Sequence, residues 1–220
     1  MKKLLVVLGV LALLLPVAAP AQTYYVDYFS NNYTAPEDGV IRIVNVGQGG
    51  NPLTSPTGDI CANIYVFDAN QEMAACCAER LTPNELDSAD VFLQLTSNTL
   101  TPALLNAGVI KVVLTPATGG CFPTTPFGTD AASRPDATLG SVWGTHPQRS
   151  LYVGGAFYFP FLTETEKQPR PLSASEQAFL PLACSMTLYL GSGYGQCTST
   201  VSGDAGSGGG DVLGAIAGKQ

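Results

Sequence analysis

Two adjacent cysteines, Cys76 and Cys77, constrain this chain more than any other feature. They lie in CANIYVFDANQEMAACCAERLTPNELDSADVFLQL, residues 61–95, with Cys61 at its start. Cys61 to Phe67 is rich in β-branched and aromatic residues, and Asp68-Ala69-Asn70 supplies turn formers. The stretch therefore reads as a β-hairpin that runs on into a third strand. Neighbouring residues on a strand point to opposite faces, so Cys76 and Cys77 cannot both reach Cys61. A three-residue loop over 68–70 sets Phe67 opposite Gln71 and Cys61 opposite Cys77. A disulfide then needs Cα atoms within roughly 7 Å. On that register the expected pairs are Cys61–Cys77, Cys76–Cys121 and Cys184–Cys197. A loop one residue longer or shorter exchanges Cys76 and Cys77. Six cysteines allow fifteen pairings in all. Cys76-Cys77 could also be a redox-active vicinal pair, but cystines of secreted domains are mostly structural, and that reading is preferred.

Disulfides need an oxidising compartment, and the first residues supply a route to one. Lys2 and Lys3 form a basic end, Leu4 to Leu15 an apolar run, and Ala19-Pro20-Ala21 a small-residue cleavage site. Residues 1–21 thus read as a signal peptide. The apolar run is shorter than the about 20 residues that span a bilayer. The first cysteine is Cys61, not the residue after cleavage, which argues against a lipid anchor. Removing Lys2 and Lys3 takes the formal charge from −7 to −9. Such a surface repels nucleic acid and anionic membranes. Charged residues are only 12%, and turn formers are plentiful, which suits an extracellular β-protein. Residues 22–200 are read as one β-rich domain and residues 201–220 as a disordered Gly-rich tail.

Around the hairpin, Tyr24–Phe29, Gly39–Val46, Ala89–Thr96 and Gly108–Thr115 are expected strands, and Leu81–Leu86 a turn. In Gly108–Thr115, Ile110, Val112 and Leu114 share one face, while Val109, Lys111 and Val113 share the other. An apolar face opposite one that bears a lysine is the half-buried pattern of an antiparallel sheet. Prolines and glycines punctuate 116–150, which reads as a long loop tethered at Cys121. Leu151–Phe161 returns to strand, with a bulge or a close approach of another backbone at Gly154-Gly155. The period then changes. Ser173 and Glu176 have capping-box spacing, and Phe179, Leu182, Met186 and Leu190 follow at helical spacing. Pro181 should bend or interrupt that helix, and Gly191 and Gly193 should end it.

The segments CANIYVFDANQEMAACC, LTPNEL, LTSNTLTP, GVIKVVLT, WGTH, LTETE, LSASE and GSGYGQC, in this order, resemble a set of small secreted proteins of acidobacterial type. The similarity spans roughly residues 38–198. It implies secretion and a shared cysteine framework, and it carries over no functional residue. The chain departs from that pattern at Pro181 and in lacking a further cysteine soon after Cys77, which leaves the partner of Cys76 open.

Candidate chemistry is sparse. His146 is the only histidine, and it is expected to pack in a loop beside Trp143. Zinc needs three or four ligands, usually with His or Cys among them, and with the cysteines oxidised such a site has almost nothing to build from. No Gly-x-Ser-x-Gly elbow accompanies it; Gly191-Ser192-Gly193 fits helix termination. Glu164 and Glu166 could form a glycosidase pair but read as a polar surface strand. The tail 206–213 nearly matches one calcium-binding nonapeptide, which functions only in stacked copies. Asn32-Tyr33-Thr34 is a formal glycosylation sequon.

The reading is a mainly β protein: an antiparallel sandwich of about seven strands, immunoglobulin-like in outline, with one C-terminal helix and three cystines. No catalytic, cofactor-binding or metal residues are assigned, and no cofactor is expected. The expected role is a secreted or envelope-associated structural or binding protein of unknown partner, with self-association open. The alternatives are a fibre subunit that adds Tyr24–Phe29 to a neighbour's sheet, and a secreted hydrolase with an unrecognised site.

Overall fold

A computed structural model describes residues 22–31, 39–48, 58–101, 103, 105–147, 152–153, 156–157 and 162–198. The expected signal peptide, the sequon, Gly154-Gly155 and the tail 201–220 lie outside the described residues.

The strands are β1 (Thr23–Ser30), β2 (Val40–Asn45), β3 (Ile60–Asp68), β4 (Met73–Leu81), β5 (Leu86–Asp90), β6 (Ala107–Pro116) and β7 (Gly140–Pro147). Then come β8 (Tyr152–Val153), β9 (Ala156–Phe157), β10 (Leu162–Glu166) and β11 (Arg170–Pro171), and last the helix α1 (Ala174–Leu190). They form two antiparallel sheets, ordered β11-β1-β6-β3-β4 and β10-β7-β2-β5, with β8-β9 as a small hairpin. The expected two-sheet architecture with a C-terminal helix is the one observed.

The alternation in β6 explains the layering. Ile110, Val112 and Leu114 enter the core between the sheets, with Ile41, Ile43, Ile64, Val66 and Val142. The opposite face is not solvated as expected. Val113, Tyr65, Phe67 and Cys76 form a second apolar layer under Leu180 and Cys184 of α1. Lys111 survives there because it pairs with Glu176 and lies 4.7 Å over the Phe67 ring. The central sheet strands thus have both faces covered, and β3 is buried over all but its last residue.

All three expected cystine pairings are overturned. The bonds are Cys61–Cys121, Cys76–Cys184 and Cys77–Cys197, with Cα separations of 5.4, 5.8 and 5.5 Å. The hairpin turn is longer than 68–70. Asp68 Oδ1 accepts the N–H groups of Asn70 and Glu72, both at 2.8 Å, and Gln71 takes φ 69°. A bulge then shifts the register between Val66 and Phe67. Cys61 therefore faces Arg80, while Tyr65 faces Cys76 and Ile64 faces Cys77. At about 3.3 Å per residue, Cys77 is about 10 Å along the strand from Cys61's partner position. Cys121 instead folds the loop after β6 down onto Cys61 and Ala78. The opposite-face argument holds: Cys76 points to α1 and Cys77 into the core. Cys184–Cys197 fails for the same reason, since the two lie on opposite faces of the sheet. The chain after α1 crosses the β4 edge, where Cys76 N–H donates to Gly195 O at 2.8 Å.

Three element assignments also change. The 116–150 loop contains β7, which pairs with both β2 and β10. Gly140 and Gly144 sit in it because a Cβ there would lie 2.4 Å from Val44 O and 2.0 Å from Asp27 Oδ2. Ala89–Thr96 is not one strand: β5 stops at Asp90, whose Oδ1 caps a single π-helical turn, Val91–Leu95, by accepting Leu93 N–H at 2.7 Å. Leu151–Phe161 retains only the two-residue strands β8 and β9 among the described residues. The helix starts where the capping box places it, with Ser173 Oγ accepting Glu176 N–H at 3.2 Å. It continues through Pro181, contrary to expectation. Leu180 and Cys184, on either side of that proline, are fully buried, and the Cys76 bond anchors the second half.

Candidate functional site

His146 lies in β7, across the sheet gap from Asp27 of β1. Asp27 has the same inward parity as Tyr25 and Phe29, so an aspartate enters the core of an otherwise aromatic strand. Lys167, one residue beyond β10, reaches over to it. Lys167 Nζ is 2.8 Å from Asp27 Oδ1, and His146 Nε2 is 3.1 Å from the same oxygen. Nζ and Nε2 are themselves 3.0 Å apart. Asp27 Oδ1 also accepts Tyr28 N–H at 2.8 Å, and Lys167 Nζ donates to Thr165 Oγ1 at 3.1 Å. The Tyr28 ring stacks on the imidazole with centroids 4.5 Å apart. All three polar side chains are at most 15% exposed. The expected packing of His146 beside Trp143 is not observed, because residues three apart on a strand face opposite ways. The indole N–H donates to Ser141 Oγ at 3.3 Å instead.

This cluster holds an ion pair, Lys167 with Asp27, with the His146 imidazole against both. Its donors and acceptors engage one another. Sequence reasoning missed Asp27 and Lys167. The inward parity of Asp27 was the available signal; Lys167 gave none.

Glu164 and Glu166 lie on the exposed edge strand β10. Arg42 of β2 donates to Glu164 Oε1 and to Thr145 Oγ1. Glu166 and Asp136 both raise the pKa of the Tyr25 phenol, after the larger effect of burial. That phenol lies 2.9 Å from Ala137 O and 2.8 Å from Gly140 O, so it serves as a core anchor. Burial likewise pushes the Tyr65 phenol up, and it donates to Pro123 O at 2.8 Å.

A cleft of about 700 Å³ opens at one end of the sandwich, with Asn45, Asp59, Ile60, Arg80, Pro116 and Leu139 among its walls. Its strongest polar groups are already engaged. Arg80 Nε and Nη2 lie 2.8 and 2.6 Å from Asp59 Oδ2, and the Asn45 amide donates to Gly58 O and Leu81 O, both at 2.9 Å. Among the described residues, no three His, Cys, Asp or Glu side chains converge on a metal position.

One unusual surface among the described residues is α1 itself. Leu182, Met186 and Leu190 of its apolar repeat stand on the exposed face, and Phe179, about half exposed, stacks at its edge on Phe67 with ring centroids 6.2 Å apart. Leu180, Cys184 and Thr187 face the sheet instead. Tyr189 and Tyr194 extend the outer stripe, at 84% and 56% exposure. Among the described residues, no helix is long and apolar enough to cross a membrane. Comparison with protein-family models, with curated proteins and with solved structures finds no match to this chain.

Proposed function

We propose that this chain is exported through residues 1–21 and acts outside the cytoplasm as a non-enzymatic binding or structural module, in keeping with the secreted proteins it resembles. Three disulfides indicate an oxidising compartment. The observation that carries the binding role is the stripe on α1. Large apolar side chains stand outward on a helix whose inner face is bonded to β4 through Cys76–Cys184. Contiguous patches of this kind mark interaction sites on soluble proteins. A rigid, covalently seated helix also loses little conformational freedom on docking. The arrangement of β1 supports a module over a strand-exchanging fibre, since β1 completes its own sheet by pairing with β6 from Tyr25 to Ser30.

The test is fractionation of the producing cells. The wild type should be retained in assemblies or on the envelope, and Leu182→Glu with Tyr189→Glu should release it while leaving the circular dichroism spectrum unchanged. Equal partitioning of the two proteins would remove the stripe from the function.

A further inference from the structure

The stripe on α1 has features that select its occupant. Phe179, Leu182, Met186 and Tyr189 are spaced three, four and three residues apart, with Leu190 beside them. That is the seam spacing by which one helix packs along another, and it drifts little over two heptads. With Tyr194, these side chains expose roughly 750 Å², close to the about 800 Å² that each partner gives a standard-size interface. The largest patch on a typical monomer is about 300–600 Å².

Charge narrows the choice further. No charged residue occurs from Gln177 to Cys197. A helix that lies on a lipid surface carries Lys and Arg along its polar flanks, and this one has none. A charged protein partner would be steered by a charged rim, which is also missing here. A neutral, apolar, heptad-spaced surface is complementary to itself.

We infer that α1 is the interface for a second copy of this chain, paired antiparallel about a two-fold axis near Met186. This rests on the binding role proposed for the stripe. Such an axis sets Met186 against its counterpart and Leu182 against the partner subunit's Leu190, so the same patch serves both copies. Phe179 then lies near the far end of the other helix, roughly 20 Å from its own counterpart at 1.5 Å rise per residue. The formal charge, −7 for the whole chain and −9 without Lys2 and Lys3, opposes association at long range, and salt should relieve that opposition.

The exported protein, purified with its cystines intact, is examined by sedimentation velocity from about 1 to 100 μM, the range of a modest homodimer. The wild type should form a dimer that tightens as salt is raised. Met186→Glu should weaken it about a hundredfold or more, as expected for a central interface position. Met186→Cys should give an intermolecular disulfide under mild oxidation, and Phe179→Cys should not. A wild type that stays monomeric throughout, growth beyond a dimer, or equal cross-linking at both positions would each overturn the inference. So would association only with added phosphatidylcholine vesicles. A monomer whose stripe variants are still released from the cell envelope would sink the self-pairing and leave the broader binding role standing.

Discussion

Between β1 and the end of β10, the gap between the sheets is closed by Asp27, His146 and Lys167. On the opposite side, between β4 and β5, it is closed by Cys77–Cys197 with Glu79 and Asp87 buried beside it. Both sides admit a carboxylate to the core, and each handles it differently. On the first side a lysine neutralises Asp27 at 2.8 Å. On the second, burial raises the pKa of Asp87, Glu85 adds to the rise, and only the Ser88 N–H opposes it. A cross-link constrains the second side without regard to charge. The first side depends on charges staying matched, because a buried ion is costly once its partner is gone.

The sharpest way to break the comparison is to remove the covalent side. Cys77→Ser with Cys197→Ser opens a bond between residues 120 apart in sequence, but Cys76–Cys184 stays closed beside it, so the loop released is about 15 residues and loop entropy puts its contribution at about 3 kcal/mol. That is a large part of the 5–15 kcal/mol typical of a domain, roughly. Urea titration should show the loss, and a midpoint barely moved would mean that the apolar core holds this side unaided. The ionic side comes next. Lys167→Met should cost about 2 kcal/mol, because the buried Asp27 carboxylate loses its lysine partner while keeping the Tyr28 N–H. Adding Asp27→Asn should restore most of it, and a double-mutant cycle without coupling would reduce the cluster to a surface contact.

Gly144→Ala tests the same side through shape. A Cβ at that position would meet Asp27 Oδ2 at 2.0 Å and Lys167 Cε at 2.6 Å, so a loss of about 1–3 kcal/mol is expected. It should shrink in the Asp27→Ala background, where that oxygen is gone. The smallest effect is on Asp87. Its raised pKa means that stability is complete below the unfolded carboxyl value, near about 4, and falls as pH rises through the folded value. Asp87→Asn removes that fall. The variant should melt above the wild type at pH 7, and the two should converge by about pH 3. A gap independent of pH would assign the effect to packing.

Much of the fold was legible because it rests on local periods. The two-residue alternation in β6 identified the face that enters the core, and the opposed directions of Cys76 and Cys77 survived intact. The Ser173–Glu176 capping box placed the start of α1. Each of these is decided within a few residues. β7 escaped notice because its two glycines resemble loop punctuation; they are there to let neighbouring groups approach its backbone. The stripe on α1 was visible as a period, but a period does not say which way a face points. A helix whose apolar residues run nearly all round has no single inside, and Leu180 and Cys184 reached the sheet only because Cys76 awaited them.

Taken alone, the sequence determined that this chain makes strands, a capped helix and enough cystines to need an oxidising compartment. Local sterics and short-range hydrogen bonds settle such features before distant segments meet. Only the tertiary structure decided which cysteines bond, because a bulge between Val66 and Phe67 moved the hairpin register. It alone joined Asp27 to Lys167 from opposite ends of the domain. It also turned Leu182, Met186 and Leu190 outward. Each of these outcomes depends on where two sheets and a helix come to rest against one another, and that placement is a global balance of buried area rather than a property of any stretch of chain.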